Sequence, residues 1–144
     1  MKVRIKFLHI VFLTIVMISL SCCTSKDKQN TPSNDAIDLV KTELKMFSKH
    51  LPIEGGVGMI ITDVNYDEAK YTIHYKYQYT IPGVRKPSDS QIVEAKKTVV
   101  SLMKSQPKEK KLLEQGFTFR YDYYDLDGDY LFTQEISSAD LKDE

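Results

Sequence analysis

The chain of 144 residues has no tryptophan, and its two cysteines, Cys22 and Cys23, are neighbours in the sequence. Adjacent cysteines bridge each other only with strain, which excludes a disulfide framework as the source of stability. Neither sign of charge is in excess, since 20 basic residues balance 20 acidic ones, and this excludes the basic footprint of a nucleic-acid-binding protein. A long hydrophobic run is also missing. The most apolar stretch, residues 7–20, is shorter than the ~20 residues that span a hydrocarbon core.

The N-terminus has the pattern of a cleaved secretion signal. Lys2, Arg4 and Lys6 precede the apolar stretch, and the cysteine pair follows it. The end of the stretch resembles the lipobox of bacterial lipoproteins, in which a small residue precedes the cysteine that is diacylated and becomes the new N-terminus. Residues 1–22 are therefore predicted to be a lipoprotein signal peptide.

Two cysteines compete for the lipid. Cys22 follows Ser21, a small residue of the kind that the lipobox favours. Cys23 instead has Leu20 at the place where leucine is commonest, but it is preceded by a cysteine. We take Cys22 as the predicted attachment site and keep Cys23 as the alternative.

The segment after the cysteines predicts where the protein is located. Lys26 and Asp27 resemble the short signal that directs Bacteroidetes lipoproteins to the outer face of the outer membrane. We therefore expect a protein of the bacterial cell envelope that is anchored to the outer membrane through its N-terminal lipid. Without residues 1–22 the chain keeps 17 basic and 20 acidic residues, a formal charge of −3, so nucleic acid is not an expected partner.

The remaining chain divides into a tether and one domain. Residues 23–34 contain no aliphatic or aromatic side chain, so they cannot bury enough apolar surface to offset the entropy of ordering. They are predicted to be a flexible tether. Residues 35–144 have the length of one ordinary domain with one core, and we expect a single α+β domain there.

Hydrophobic periodicity predicts three helices in this domain. In the first helix, apolar residues recur at three- and four-residue spacing from Ile37 to Leu51. A capping box at Ser88 and Gln91 opens the second helix. Pro107 breaks that helix and starts a short third one, which ends before Gly116.

Four strands are predicted around these helices, over residues 57–64, 70–81, 117–123 and 130–136. The second strand alternates most strictly, with one aromatic and one polar face. The aromatic face carries Tyr71, Ile73, Tyr75, Tyr77, Tyr79 and Ile81, and the polar face carries Thr72, His74, Lys76, Gln78 and Thr80. The order αββαββ predicts an α+β fold with a four-stranded, mostly antiparallel sheet that the helices cover on one face.

Two sequence segments resemble small secreted or lipidated bacterial proteins of the Bacteroidetes type. One is the Leu51-Pro52 pair before the first hairpin, and the other is the segment GFTFRYDYYDLDG at residues 116–128. In these proteins a leucine–proline pair precedes a hairpin, and a GxTFRYxYYDxDG segment precedes the last strand. The resemblance covers most of residues 36–141. It implies a fold and a location, but no activity, cofactor or catalytic residue.

Three aspartates and two histidines are the candidates for metal binding or catalysis. Asp125, Asp127 and Asp129 match part of a calcium loop, but its first and twelfth ligand positions hold Tyr123 and Gln134. A hairpin turn at Asp127-Gly128 is the better interpretation. His50 is predicted at a helix end, where its charge suits the helix dipole, and His74 is predicted on the polar face of the strand. A structural role therefore explains both histidines without catalysis or metal binding. We therefore predict no catalytic residue, no metal site and no cofactor.

The nine tyrosines carry the functional prediction, because tyrosine is enriched in protein interfaces. Most of them are expected to fill the core and its rim. Tyr124 lies on the opposite strand face from its neighbours, so Tyr124 and His74 become the candidate partner-binding residues. The preferred function is a non-enzymatic envelope protein that binds another protein, as an adaptor, an inhibitor or an immunity protein. A glycan- or small-ligand-binding module is the alternative, and an enzyme using His74 or His50 is third.

Overall fold

The computed structural model describes residues 30–142 of the chain. The predicted signal peptide and the two candidate lipid sites, Cys22 and Cys23, lie outside these residues. The elements are helices α1 (Asn34–Ser48), α2 (Asp89–Ser105) and α3 (Pro107–Glu114), strands β1 (Ile53–Gly56), β2 (Met59–Asp67), β3 (Thr72–Tyr79), β4 (Thr118–Tyr124) and β5 (Tyr130–Ile136), and a final 3₁₀ turn (Ser138–Leu141). No helix within residues 30–142 is long and apolar enough to cross a membrane.

The helix ends follow from local side-chain chemistry. Ser33 caps α1, and its hydroxyl accepts a hydrogen bond from the backbone N–H of Ala36. The predicted capping box of α2 is present, because Ser88 and Gln91 each accept from the other's backbone N–H. Pro107 opens α3, where its missing N–H leaves no helical hydrogen bond unmade. The three helices therefore form where the sequence predicted them.

The sheet has five strands rather than the predicted four, in the order β1-β2-β3-β4-β5. The missed strand is β1, which pairs antiparallel with β2 through a tight turn at Val57 and Gly58. The prediction was wrong here because two of its four residues are Gly55 and Gly56, which have little intrinsic strand preference. Pairing with β2 supplies what local propensity lacks.

One pairing in the sheet is parallel. Strands β3 and β4 run side by side in register, because α2 and α3 form the crossover between them. The pairs β1–β2, β2–β3 and β4–β5 are antiparallel. The α+β class and the dominance of antiparallel pairing agree with the prediction, and the sheet is mixed.

The core lies between one face of the sheet and the helices. It is centred on Phe117, Leu113 and Ile136, which are fully buried. Ile73 and Phe119 contribute from the central strands. Thr72 was predicted on the solvent-exposed side, but it is only 6% exposed and its hydroxyl donates to the carbonyl of Lys70 at 3.2 Å. The alternation of β3 therefore predicts which way its side chains point, but not how deeply each one is buried.

Candidate functional site: a tyrosine groove

Four tyrosines form one surface on the helix-covered face of the sheet. Tyr75 and Tyr77 on β3 lie in register with Tyr121 and Tyr123 on β4. The parallel pairing puts all four side chains on the same face. We call this surface, with Phe132 of β5 at its side, the tyrosine groove.

The rings of the groove stack on one another across the strands. Tyr75 stacks on Tyr121 with centroids 5.7 Å apart, and Tyr77 stacks on Tyr123 at 5.4 Å. Tyr123 in turn stacks on Phe132 at 4.4 Å.

The helices leave the middle of the sheet only partly covered. Helix α1 packs mainly on β2, α2 packs on β5, and the short helix α3 packs on β4. Helix α3 also contacts α2 and is joined to α1 by the ion pair between Lys108 and Glu43. The four tyrosines follow the buried residues Ile73 and Phe119 on the same two strands, and each tyrosine stays partly exposed.

Partial burial changes the acid–base properties of these tyrosines. Burial raises the pKa of Tyr75 to about 12, and it raises the pKa of Tyr77, Tyr121 and Tyr123 above the usual value. The four hydroxyls are therefore neutral hydrogen-bond donors at physiological pH. No hydrogen bond connects them to any other part of residues 30–142.

An unpaired acceptor lies beside these donors. Gln134 is 3% exposed and in register with Tyr121, so it also points to the helix-covered face. Its side-chain amide donates to the carbonyl of Ile92 at 3.1 Å, but its Oε1 atom has no partner within residues 30–142. Buried polar groups are usually paired. The four hydroxyls thus have no partner within residues 30–142, and the Oε1 atom of Gln134 is enclosed in the core beside Tyr121.

Acidic side chains lie near one end of the groove. Glu109 of α3 and Glu43 of α1 both add to the raised pKa of Tyr75, after burial and the neighbouring Tyr77. Glu43 forms an ion pair with Lys108 at 2.6 Å. Glu109 is partly buried and has neither an ion pair nor a hydrogen bond within residues 30–142.

The predicted partner-binding residues, Tyr124 and His74, lie on the opposite face of the sheet, which we call the open face. His74 is the register neighbour of Arg120, and Tyr124 is the register neighbour of Gln78. Both residues lie on this face, but their register pairs are four residues apart along the strands. Lys76 covers the ring of Tyr124 at 4.3 Å. The structure therefore places them on one surface without bringing them together.

The open face is held by polar contacts between its own side chains. Arg120 binds Asp122 through Nε at 3.0 Å and Glu135 through Nη1 at 3.2 Å. Asp122 also accepts a hydrogen bond from Thr133, and the hydroxyl of Tyr130 lies 2.9 Å from that threonine. These groups satisfy one another, in contrast to the unpaired polar groups of the tyrosine groove.

The residues considered for catalysis or metal binding do not converge. His50 is exposed at the end of α1, on the other side of the sheet from His74. Asp125 forms the predicted turn, since its Oδ1 accepts from the backbone N–H groups of Asp127 and Asp129 at 3.0 and 2.8 Å. Within residues 30–142 no three histidine, cysteine or acidic residues are grouped to hold a metal ion.

Sequence reasoning identified the tyrosine alternation but not the groove. The sequence pattern that could have predicted the groove is the alternation of aromatic residues in β3 and in the segment from Phe117 to Tyr123. The prediction treated these rings as core. That they lie side by side and only partly covered depends on the parallel β3–β4 pairing, which the sequence pattern did not indicate.

Comparison with protein-family models and with curated proteins finds no match for this chain. Solved structures do match. The pilotin EpsS of the type 2 secretion system of Vibrio vulnificus aligns with a TM-score of 0.58 at 15% identity, over 74% of this chain and 91% of its own. A Pseudomonas aeruginosa protein described as secreted aligns with a TM-score of 0.58 at 10% identity, over 73% and 91%.

A third structure is the type II secretion system pilotin AspS of Vibrio cholerae. It aligns with a TM-score of 0.53 at 17% identity, over 71% of this chain and 88% of its own. All three identities are low, so the likeness concerns the fold. The α+β fold of this chain is the fold found in two secretion-system pilotins and in a protein described as secreted.

Proposed function

We propose that this protein is a lipid-anchored, non-enzymatic protein of the bacterial cell envelope that binds a segment of another envelope protein in the tyrosine groove. The proposal combines an anchor that the sequence predicts with a surface that the structure describes. The resemblance to small secreted or lipidated bacterial proteins supports the envelope location.

The unpaired polar groups of the groove carry the proposal. A partly covered set of aromatic rings with free hydroxyls offers apolar contact area and directional hydrogen bonds together, as protein-binding surfaces do. A polypeptide supplies backbone carbonyls that can accept hydrogen bonds from these hydroxyls.

The position of the first described residues fits an anchored domain. Asn30 donates its side-chain amide to the carbonyl of Glu114 at 2.9 Å, and Pro32 is buried. Eight residue steps separate Asn30 from Cys22, which corresponds to at most about 29 Å of extended chain. A lipid on Cys22 would therefore hold the domain close to the membrane surface.

The structural neighbours support a binding role over an enzymatic one. Two of them carry the name pilotin and belong to type 2 secretion systems. At the observed identities they share a fold with this chain. The proposal transfers from them only the idea of an envelope protein that works on another protein.

Site-specific cross-linking in the native envelope tests the groove. A photo-reactive amino acid at Tyr77 should give a discrete cross-linked product, and the same group at Glu135 on the open face should not. Tyr77 is partly exposed in the groove, whereas Glu135 is exposed on the other side of the sheet. Products from Glu135 but not from Tyr77 would move the binding surface to the open face.

Mass spectrometry of the membrane fraction tests the anchor. We expect an N-terminal peptide that starts at Cys22 and carries a diacylglycerol, because two acyl chains are enough for stable attachment. Acylation at Cys23 would shift the site by one residue. An unmodified N-terminus elsewhere would refute the lipid anchor.

A further inference from the structure

We infer that a basic pocket beside helix α2 binds the phosphate group of an anionic phospholipid headgroup. The pocket shares no residue with the tyrosine groove. This inference goes beyond the proposed function, because it concerns a contact with the membrane surface rather than with another protein.

The pocket lies between α2 and the chain that follows β5. It has a volume of about 650 Å³, and its charged lining consists of Lys96, Lys97, Lys104, Lys142 and Asp140. Four lysines and one aspartate leave a formal excess of three positive charges. The chain without residues 1–22 has 17 basic and 20 acidic residues, so the pocket has the opposite sign to the protein as a whole.

The ion pairs of these lysines leave the pocket accessible to an anion. Lys97 binds Glu94 of the same helix at 3.1 Å, but the two side chains are 66% and 73% exposed, and exposed pairs of this kind contribute little free energy. Lys96 binds Asp140 at 2.7 Å. A phosphate group carries more acceptor oxygens than one carboxylate, so it can bind several of these lysines at once.

Apolar side chains line the same pocket and favour a lipid over a free ion. Val93 and Val100 are seven residues apart on α2, as are Lys97 and Lys104, so both pairs lie on one flank of the helix. Val93 is 54% exposed. A flank that combines aliphatic and cationic side chains is typical of protein surfaces that bind anionic membranes.

The pocket lies near the end of the domain at which the predicted anchor enters. Its wall opposite α2 includes the final 3₁₀ turn, which packs against α3. Asn30 also contacts α3, through the carbonyl of Glu114. A tether of at most about 29 Å from Cys22 to Asn30 therefore keeps the pocket within reach of the lipid headgroups.

Vesicle co-sedimentation tests the inference. The protein is the lipid-free chain from residue 24 onward, which contains every described residue. One set of vesicles contains phosphatidylglycerol in phosphatidylethanolamine, and the other contains phosphatidylcholine in place of phosphatidylglycerol. We expect about tenfold stronger binding to the first set, because a local basic site attracts anionic lipid even though the whole chain is acidic.

Matched substitutions separate the pocket from other basic residues. Lys97→Gln should weaken binding to the anionic vesicles about fivefold, the contribution of one lysine near an anionic surface. Lys49→Gln removes the same charge from an exposed position after α1, which packs on β2 rather than β5, and should leave the affinity unchanged. Asp140→Asn should strengthen binding, because it removes the carboxylate that competes for Lys96. Thermal melts check that each variant is folded.

Three outcomes would overturn the inference. The first is equal binding to both kinds of vesicle, and the second is an equal effect of Lys97→Gln and Lys49→Gln. The third is release from the vesicles by inorganic phosphate but not by chloride at equal ionic strength, because the pocket would then bind free phosphate. None of these outcomes affects the cross-linking test at Tyr77, so the proposed function stands or fails separately.

Discussion

Gly116 has two independent reasons to be glycine. Its φ angle is +100°, a conformation that other residues rarely adopt. A Cβ atom there would also lie 1.7 Å from the backbone oxygen of Asn30. The same residue ends α3 in a Schellman motif, in which Gly116 donates to Leu113 and Phe117 donates to Leu112. One residue thus ends a helix and makes room for the start of the domain.

Gly116→Ala should therefore lower the free energy of unfolding by about 3 kcal/mol or more, since backbone strain and a steric clash add together. Gly128→Ala is the matched control. Its φ angle is +89°, but no atom lies within 4 Å of the added carbon, so we expect a loss of only about 1 kcal/mol. Urea denaturation of both variants measures the difference. Equal losses would show that the contact with Asn30 has no influence on stability.

Tyr75 connects the groove to helix α1. It stacks on Tyr121 and meets Phe47 edge-to-face at 6.1 Å. Tyr75→Ala should cost on the order of 3 kcal/mol, because it removes a large ring and leaves a cavity. Asn65→Ala, at an exposed position of the open face, should stay within about 0.5 kcal/mol of the wild type. Chemical denaturation would contradict this expectation if the two variants were equally stable.

At the scale of elements, β1 shows how tertiary contacts create a strand from weak local preference. A Cβ atom on Gly55 would lie 2.8 Å from the ring of Tyr77 and 2.9 Å from Ile61. The absence of a side chain at Gly55 is therefore what lets β1 pack beside the groove. Its neighbour Glu54 is exposed and alternates to the other face.

Gly55→Val should destabilise the domain by about 2 kcal/mol and displace the ring of Tyr77, since overpacking forces neighbouring atoms to move. Glu54→Val places the same side chain on an exposed edge position and should change stability by less than about 0.5 kcal/mol. Thermal melts give the stabilities, and chemical shifts of the Tyr77 ring report the displacement. A silent Gly55→Val variant would show that β1 does not support the groove.

The carboxylate of Asp125 supports the β4–β5 turn, together with backbone hydrogen bonds from Asp125 N–H to the carbonyl of Asp129 and from Gly128 N–H to the carbonyl of Asp125. Asp125→Ala should cost about 1 kcal/mol, because the backbone N–H groups of Asp127 and Asp129 lose their acceptor. Asp127→Ala should be nearly neutral.

Calorimetric titration of the wild type should detect no calcium binding in the micromolar range, because Asp125 already binds the backbone and the twelfth ligand of a calcium loop is missing. Micromolar binding that Asp127→Ala abolishes would refute the turn assignment.

At the scale of the whole molecule, the tyrosines make stability depend on alkaline pH. Each of the four groove tyrosines has a higher pKa in the folded protein than its ordinary value of 10, and the pKa of Tyr75 is about 12. Above pH 10 the unfolded chain has lost these protons while the folded chain retains them, so stability falls as pH rises. It is fully present below pH 10 and is lost progressively as pH rises through about 12 and beyond.

The rise of the Tyr75 pKa from 10 to about 12 corresponds to on the order of 3 kcal/mol of unfolding free energy. We expect the melting temperature to fall steeply between pH 10 and pH 12, and tyrosinate absorbance to show a late-titrating group of tyrosines. Tyr75→Phe should weaken the pH dependence, since it removes one titrating hydroxyl and keeps the ring. An unchanged pH dependence in that variant would show that Tyr75 ionises normally.

Sequence patterns alone determined the local features of this protein. The Ser88–Gln91 capping box, Pro107 and Gly116 mark helix boundaries through chemistry that acts within a few residues. The alternation of β3 likewise determined that Tyr75 and Tyr77 share a face. The predicted lipid anchor is local too, since it depends on a short segment around Cys22.

Tertiary structure decided what depends on distant parts of the chain. Strand β1 exists because β2 pairs with it, and Thr72 is buried despite its place on the polar face of β3. The groove itself requires the parallel pairing of β3 with β4, which brings Tyr75 beside Tyr121, 46 positions later in the sequence. A periodic pattern predicts which side chains share a face of one strand. It does not predict which strand pairs with that strand or how far the helices cover that face, because both depend on the packing of the whole chain.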